Sequence, residues 1–142
     1  MHLRDIRLLK DMGGNFLRIA HYPQDHLVSD ECDRLGILSC VEIPVIDRIG
    51  YADEFTDNCV NMALEMVYQY FNHPSMIVWA YMNEVLLRDK PWTEDGIPQE
   101  EYYARVKDCA SAIDSAIRQA VPLDRQRHRQ RLLQVRQVLQ PH

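Results

Sequence analysis

Residues 72–84 read N-H-P-S-M-I-V-W-A-Y-M-N-E, and this stretch decides the fold. Asn72-His73-Pro74 is a helix stop, because the residue before a proline is pushed out of helical space. Ser75 to Met82 is a continuous apolar run of strand length, which predicts a strand buried on both faces. Asn83-Glu84 then sets a polar pair at the carboxyl end of that strand. Immediately upstream, Phe55, Cys59, Met62, Met66 and Tyr70, with Ala63, Val67 and Phe71, fill one broad face of a long helix.

Working outward, the same alternation continues in both directions. Leu3, Ile6, Leu9 and Met12 form a helical stripe that stops at Gly13-Gly14, a C-cap signal. Residues 15–20 form a short apolar strand closed by His21-Tyr22-Pro23. A second helix begins near Asp25, carries Leu27, Val28, Cys32 and Leu35, and stops at Gly36. Residues 37–43 form the next strand, closed by Pro44. Downstream of Glu84, a loop through Pro91-Trp92 and Gly96 leads to a fourth helix. Its face is Tyr102, Val106, Cys109, Ile113 and Ile117, and Val121-Pro122 ends it.

An α-β-α-β-α-β-α order with apolar strands specifies a parallel sheet covered by helices. Ligands bind such sheets at the carboxyl edge of the strands. Both Arg18…His21-Tyr22-Pro23 and Asn83-Glu84 fall at that edge. Three strands and four helices fit a small open sheet. They equally fit a consecutive slice of a (β/α)8 barrel, which takes about 250 residues to close. Topology alone does not choose between the two.

Composition bounds the partners. With 142 residues, 46% hydrophobic and 26% charged, the chain has the make-up of one ordinary globular domain. No apolar run approaches the roughly 20 residues that span a bilayer, so no membrane partner is expected. The N-terminus is charged where a signal peptide needs an apolar core, and it assigns no compartment. Residues 1–122 carry a net charge of −9 and residues 123–142 a net of +4. An acidic body argues against nucleic acid, whose phosphates require a basic surface.

Cys32, Cys40, Cys59 and Cys109 contain no C-x-x-C pair and match no zinc template, so four reduced, buried or half-buried thiols are expected. His21, His26 and Cys32 fit neither a helical i, i+4 pair nor a finger, so no metal is expected. Without a G-x-G-x-x-G or a P-loop no nucleotide cofactor is indicated, and no G-x-S-x-G elbow is present.

Four stretches taken together break the tie: N-F-L-R-I-A-H-Y-P (15–23), C-D-R-L-G-I-L (32–38), V-E-I-P (41–44) and residues 72–84. In that order they resemble family 2 of the glycoside hydrolases, the β-galactosidase and β-glucuronidase group, over roughly residues 2–121. The resemblance implies an α/β fold that is part of a (β/α)8 TIM barrel, about strands 2 to 4 with their flanking helices. It implies a retaining β-glycosidase acting on a carbohydrate without a cofactor. Glu84 would be the general acid/base, protonating the glycosidic oxygen and later deprotonating the attacking water. Such an acid works best in a partly desolvated setting. Asn83 would hydrogen-bond the sugar 2-hydroxyl, Arg18 would orient the carboxylate nucleophile, and His21 would line the substrate pocket. Glu42 would support the site by hydrogen bonding. Away from its motif, a glutamate at a strand end is most often a solvated loop residue, and Arg18 inside a buried strand would need a carboxylate partner in any case. Trp79 reads as barrel packing, and Trp92 as either a sugar platform or a rim contact.

The resemblance also defines what is expected outside the chain. In this family the nucleophile comes from the seventh strand, and sandwich domains precede the barrel. Residues 1–122 are therefore expected to be a partial barrel that needs the remainder of the barrel and those N-terminal domains, and to be inactive alone. Residues 123–142, L-D-R-Q-R-H-R-Q-R-L-L-Q-V-R-Q-V-L-Q-P-H, are basic and poor in strand formers where a fifth strand belongs. Two readings stand for this atypical basic tail: a solvated tail, or out-of-frame or misassembled sequence in place of the fifth strand. The competing reading of the whole chain is a non-catalytic α/β module that binds a ligand or partner at its strand edge.

Overall fold

The computed structural model describes residues 2–87 and 97–121. Trp92 and residues 123–142, with the expectations attached to them, lie outside the described residues. Seven elements follow in the expected order: α1 (His2–Asp11), β1 (Phe16–Ile19), α2 (His26–Leu35), β2 (Leu38–Glu42), α3 (Phe55–Tyr70), β3 (Met76–Ala80) and α4 (Gln99–Ala120).

The boundaries have local causes. Asp25 caps α2 by accepting from the Leu27 N–H at 2.9 Å, which satisfies one orphan donor of the first turn. Gly36 ends it at φ 65, in the left-handed region that a residue without a Cβ enters freely, and returns its N–H to the Cys32 and Asp33 carbonyls. The stop before Pro74 closes α3 two turns of chain ahead of β3.

The three strands form one parallel sheet in the order β1-β2-β3. Each strand thus lies beside its sequence neighbour, as consecutive barrel strands do. One half of a doubly wound open sheet runs in the same order, so strand order alone does not separate the two architectures. The register pairs Arg18 with Cys40, Ile19 with Val41, Val41 with Trp79 and Glu42 with Ala80, with one irregularity at Ser39/Cys40. Because side chains alternate across a strand, Ile19 and Val41 point to one face while Arg18 and Glu42 share the other.

The first face carries the core. Ile19 and Val41 join Val28 and Cys32 of α2, Cys59, Ala63, Met66, Val67 and Tyr70 of α3, and Val106, Cys109, Ile113 and Ile117 of α4 in one buried cluster. Trp79 packs against it, half-buried, as expected of a packing residue. The strand 75–82 departs from expectation: β3 is not buried on both faces, and Ile77 is 40% exposed. β3 is an edge strand among the described residues, so nothing covers its far side.

Candidate active site

The parallel register brings three strand ends to one edge. Arg18 is the penultimate residue of β1, Glu42 is the last of β2, and Asn83-Glu84 follow β3 by three and four residues. His21 stands two residues beyond β1, after a cis peptide between Ala20 and His21.

Glu42 is the centre of this edge. Its side chain is only 2% exposed, and a carboxylate so buried requires paired charges and hydrogen bonds. Arg18 Nη2 supplies them at 2.9 Å from Oε2 and 3.1 Å from Oε1. His21 Nδ1 lies 2.7 Å from Oε1. The same Arg18 nitrogen donates to Asn83 Oδ1 at 2.6 Å, so one guanidinium ties β2 to the segment after β3. Asn83 therefore has its carbonyl engaged, and its NH2 is the end that can donate to a ligand. Arg18 itself is not buried as its apolar strand suggested; its side chain is 47% exposed, because the sheet face it occupies is open.

Backbone bonds lock Asn83 in place. It makes an isolated parallel bridge with Ile46, donates its N–H to the Val45 carbonyl at 2.9 Å, and accepts at its own carbonyl from the Asp47 N–H at 3.0 Å. Glu84 comes next at φ 59, in the left-handed region, and its carbonyl accepts from the Leu87 N–H at 3.0 Å. Glu84 is exposed, and no side chain among the described residues is hydrogen-bonded or ion-paired to it. The desolvation expected around a proton donor is thus not supplied by the described residues.

The thiols are free and buried, as expected. Cys40, the register partner of Arg18, has its thiol pushed up to about 11 by burial and then by the Glu42 charge. Burial likewise pushes Cys32 up to about 11 and Cys59 up to about 12. A thiol acts as nucleophile only as the thiolate, so Cys40 contributes packing at this edge.

One cluster escaped the sequence reading. Asp30, Asp33 and His73 bring ligand-type atoms within 4.8 Å of one another, away from the strand edge. Asp33 is already committed: Oδ2 lies 2.7 Å from His73 Nδ1, and Oδ1 accepts from the Ser75 N–H at 2.8 Å. Burial works to raise its carboxyl pKa, yet the bonds from Ser75 and His73 carry it below the usual range. H-P-S is therefore a tether joining α2 to the start of β3 as well as a helix stop. Nothing in residue spacing signals a partner forty positions away.

Residues 1–118 match the family model described as glycosyl hydrolases family 2, TIM barrel domain. A relative from Formosa agariphila is 38% identical over 122 residues, which is 84% of this chain and 15% of its own length. The β-glucuronidase of Bacteroides fragilis is 37% identical over 91 residues, covering 59% of this chain and 13% of that protein. The crystal structure of a Bacteroides uniformis β-glucuronidase superimposes with a TM-score of 0.77 at 39% identity, over 84% of this chain and 14% of the other. A β-galacturonidase from Eisenbergiella tayi gives a TM-score of 0.67 at 29% identity, over 84% and 19%. The chain thus spans 13–15% of the length of these curated relatives.

Proposed function

The chain belongs to glycosyl hydrolases family 2, as part of its TIM-barrel domain, and on that premise we propose that it carries the acid/base side of a retaining β-glycosidase site. Glu84 is the proton donor in this reading. The observation that carries it is the Arg18–Glu42–His21–Asn83 network, which ends beside Glu84 at the carboxyl edge of three parallel strands.

The chemistry runs in two displacements. Glu84 gives its proton to the glycosidic oxygen as the bond to the anomeric carbon breaks and a carboxylate nucleophile takes that carbon. The Glu84 carboxylate then removes a proton from the water that attacks the glycosyl-enzyme. Retention needs the two carboxyl groups about 5–5.5 Å apart. Glu42 does not serve as the second, because Arg18 and His21 already engage both of its oxygens. The nucleophile is expected from a later barrel strand, where the Arg18 nitrogens not bound to Glu42 would meet it. Asn83, with its carbonyl held by Arg18, presents its NH2 to the sugar 2-hydroxyl, and His21 borders the same pocket. The basic segment 123–142 takes no part in this reading.

The relatives named above favour a β-linked uronic acid, glucuronides first, over a β-galactoside as the sugar. The remainder of the barrel and the N-terminal domains are the partners that complete the site.

The test is a segment exchange. Residues 2–121 replace the matching segment of the Bacteroides uniformis β-glucuronidase, and hydrolysis of p-nitrophenyl β-D-glucuronide is measured with and without Glu84→Gln. The exchanged barrel should turn over, and Glu84→Gln should lower kcat by about a hundredfold or more. Azide should restore part of the rate on a substrate with a good leaving group, since it attacks without a base. The 142-residue chain alone should show no turnover. Hydrolysis that survives Glu84→Gln would remove the residue from its role and leave a strand edge that only binds.

A further inference from the structure

Tyr102 lies in the first turn of α4, 1% exposed, with its ring 6.4 Å from that of Tyr51. Its hydroxyl donates to the Val85 carbonyl at 2.9 Å and accepts from the Ile49 N–H at 3.3 Å. Neither group is an accidental neighbour. Val85 directly follows Glu84. Ile49 ends the segment after β2 that already grips Asn83 through Val45 and Asp47. Val85 and Ile49 are 6% and 2% exposed, and a buried carbonyl or amide left without a partner is costly.

Glu84 depends on this more than an ordinary residue would. Among the described residues its carboxylate has no side-chain partner, and there its place is set by the backbone. That backbone sits at φ 59, a conformation that persists only where its flanks over-determine it. The flank before Glu84 is held by Asn83; the flank after it is held by Tyr102. Burial raises the Tyr102 phenol above its ordinary value, so the hydroxyl keeps its proton for Val85 at neutral pH. Tyr51 is a built-in contrast, since its buried hydroxyl makes no hydrogen bond among the described residues.

We infer that Tyr102 is a positioning residue for Glu84: by tying Val85 to Ile49, its hydroxyl fixes the turn that aims the acid/base carboxyl. The inference rests on the role proposed for Glu84, and it adds a residue from the following helix to that site.

The test is amide exchange and three-bond HN–Hα coupling by NMR on the full 142-residue chain, as wild type, Tyr102→Phe and Tyr51→Phe. In the wild type the Ile49 amide should be protected about a hundredfold or more over an unstructured chain, although its acceptor is a side chain. In Tyr102→Phe it should exchange about tenfold faster or more. The Glu84 coupling should leave its left-handed value, while the Val28 and Cys32 amides of α2 hold their rates. Tyr51→Phe should change none of these. An unprotected Ile49 in the wild type, which requires no variant to fold, would overturn the inference. So would unchanged Ile49 and Glu84 signals in Tyr102→Phe, or an equal acceleration at every amide, which marks a merely structural role. No readout involves turnover, so this result and the segment exchange can fail separately.

Discussion

Glu84 and Asp47 are the two non-glycine residues with positive φ, at 59 and 63, among those described. Aspartate tolerates that region because its short side chain bonds locally, whereas a longer side chain with a Cβ gives up about 1–2 kcal/mol there. An exposed carboxylate without a partner among the described residues does not return that energy, which fits the proposed role in which the conformation serves to place the carboxyl. Glycine would escape the steric cost but lose about 0.5–1 kcal/mol to the greater freedom of the unfolded chain. Glu84→Gly should therefore leave the urea unfolding free energy unchanged or raise it by up to about 1.5 kcal/mol. Glu84→Val, with a branched Cβ in the same region, should lower it by about 1 kcal/mol or more. A clear loss of stability in Glu84→Gly would mean that the turn holds no strain and that the side chain is structurally engaged.

Between elements, three hydrogen-bonded carboxylates, Glu31, Asp33 and Glu42, add polar ties to the apolar cluster. Glu31 of α2 accepts from Arg7 of α1 at 2.7 Å and from Arg34 at 2.7 and 2.6 Å. Those bonds, Arg34 first and Arg7 second, hold its carboxyl at about 2 against an ordinary 4.5. A folded pKa below the unfolded one means stability that is fully present above pH 4.5 and lost as pH falls through 2. Followed by circular dichroism, the melting temperature of the wild type should thus fall more steeply from pH 4.5 to pH 2 than that of Glu31→Gln. Parallel curves would show that the α1–α2 contact is not electrostatic. Such contacts also mark the limit of what the sequence discloses. Apolar spacing, Gly36 and Pro74 located every described element to within a residue or two, because helix faces and stops are local properties. Arg18, His21, Glu42 and Asn83 were legible as a set through their motifs, but not the pairing that organises them. Arg18 to Asn83 spans 65 positions and His73 to Asp33 spans 40, and only the sheet register brings such partners together. Tyr102 was legible only as core, since helical periodicity says nothing about where a hydroxyl finds its partners.

At the scale of the whole molecule, the described helices cover one side of the sheet and, among the described residues, leave the other open. Phe16 and Leu38, register partners on the face of Arg18, are 44% and 45% exposed, where a closed barrel packs layers of side chains. β1 and β3 each present an unpaired edge among the described residues, a template for pairing with another chain. One continuous cluster beneath the helices supports a folded body, so association through the open edge and face is the expected weakness. The apolar run that made 75–82 look doubly buried then becomes a liability, with Ile77 exposed on the outer edge. A charge there should blunt the edge without disturbing the core. Light scattering during size-exclusion chromatography should show the monomer fraction of the wild type falling as concentration rises. Ile77→Lys should retain more monomer at every concentration, with its melting temperature within a few degrees of the wild type. A wild-type chain that stays monomeric throughout and melts cooperatively would show that the open face is self-sufficient, and Ile77→Lys would then change nothing.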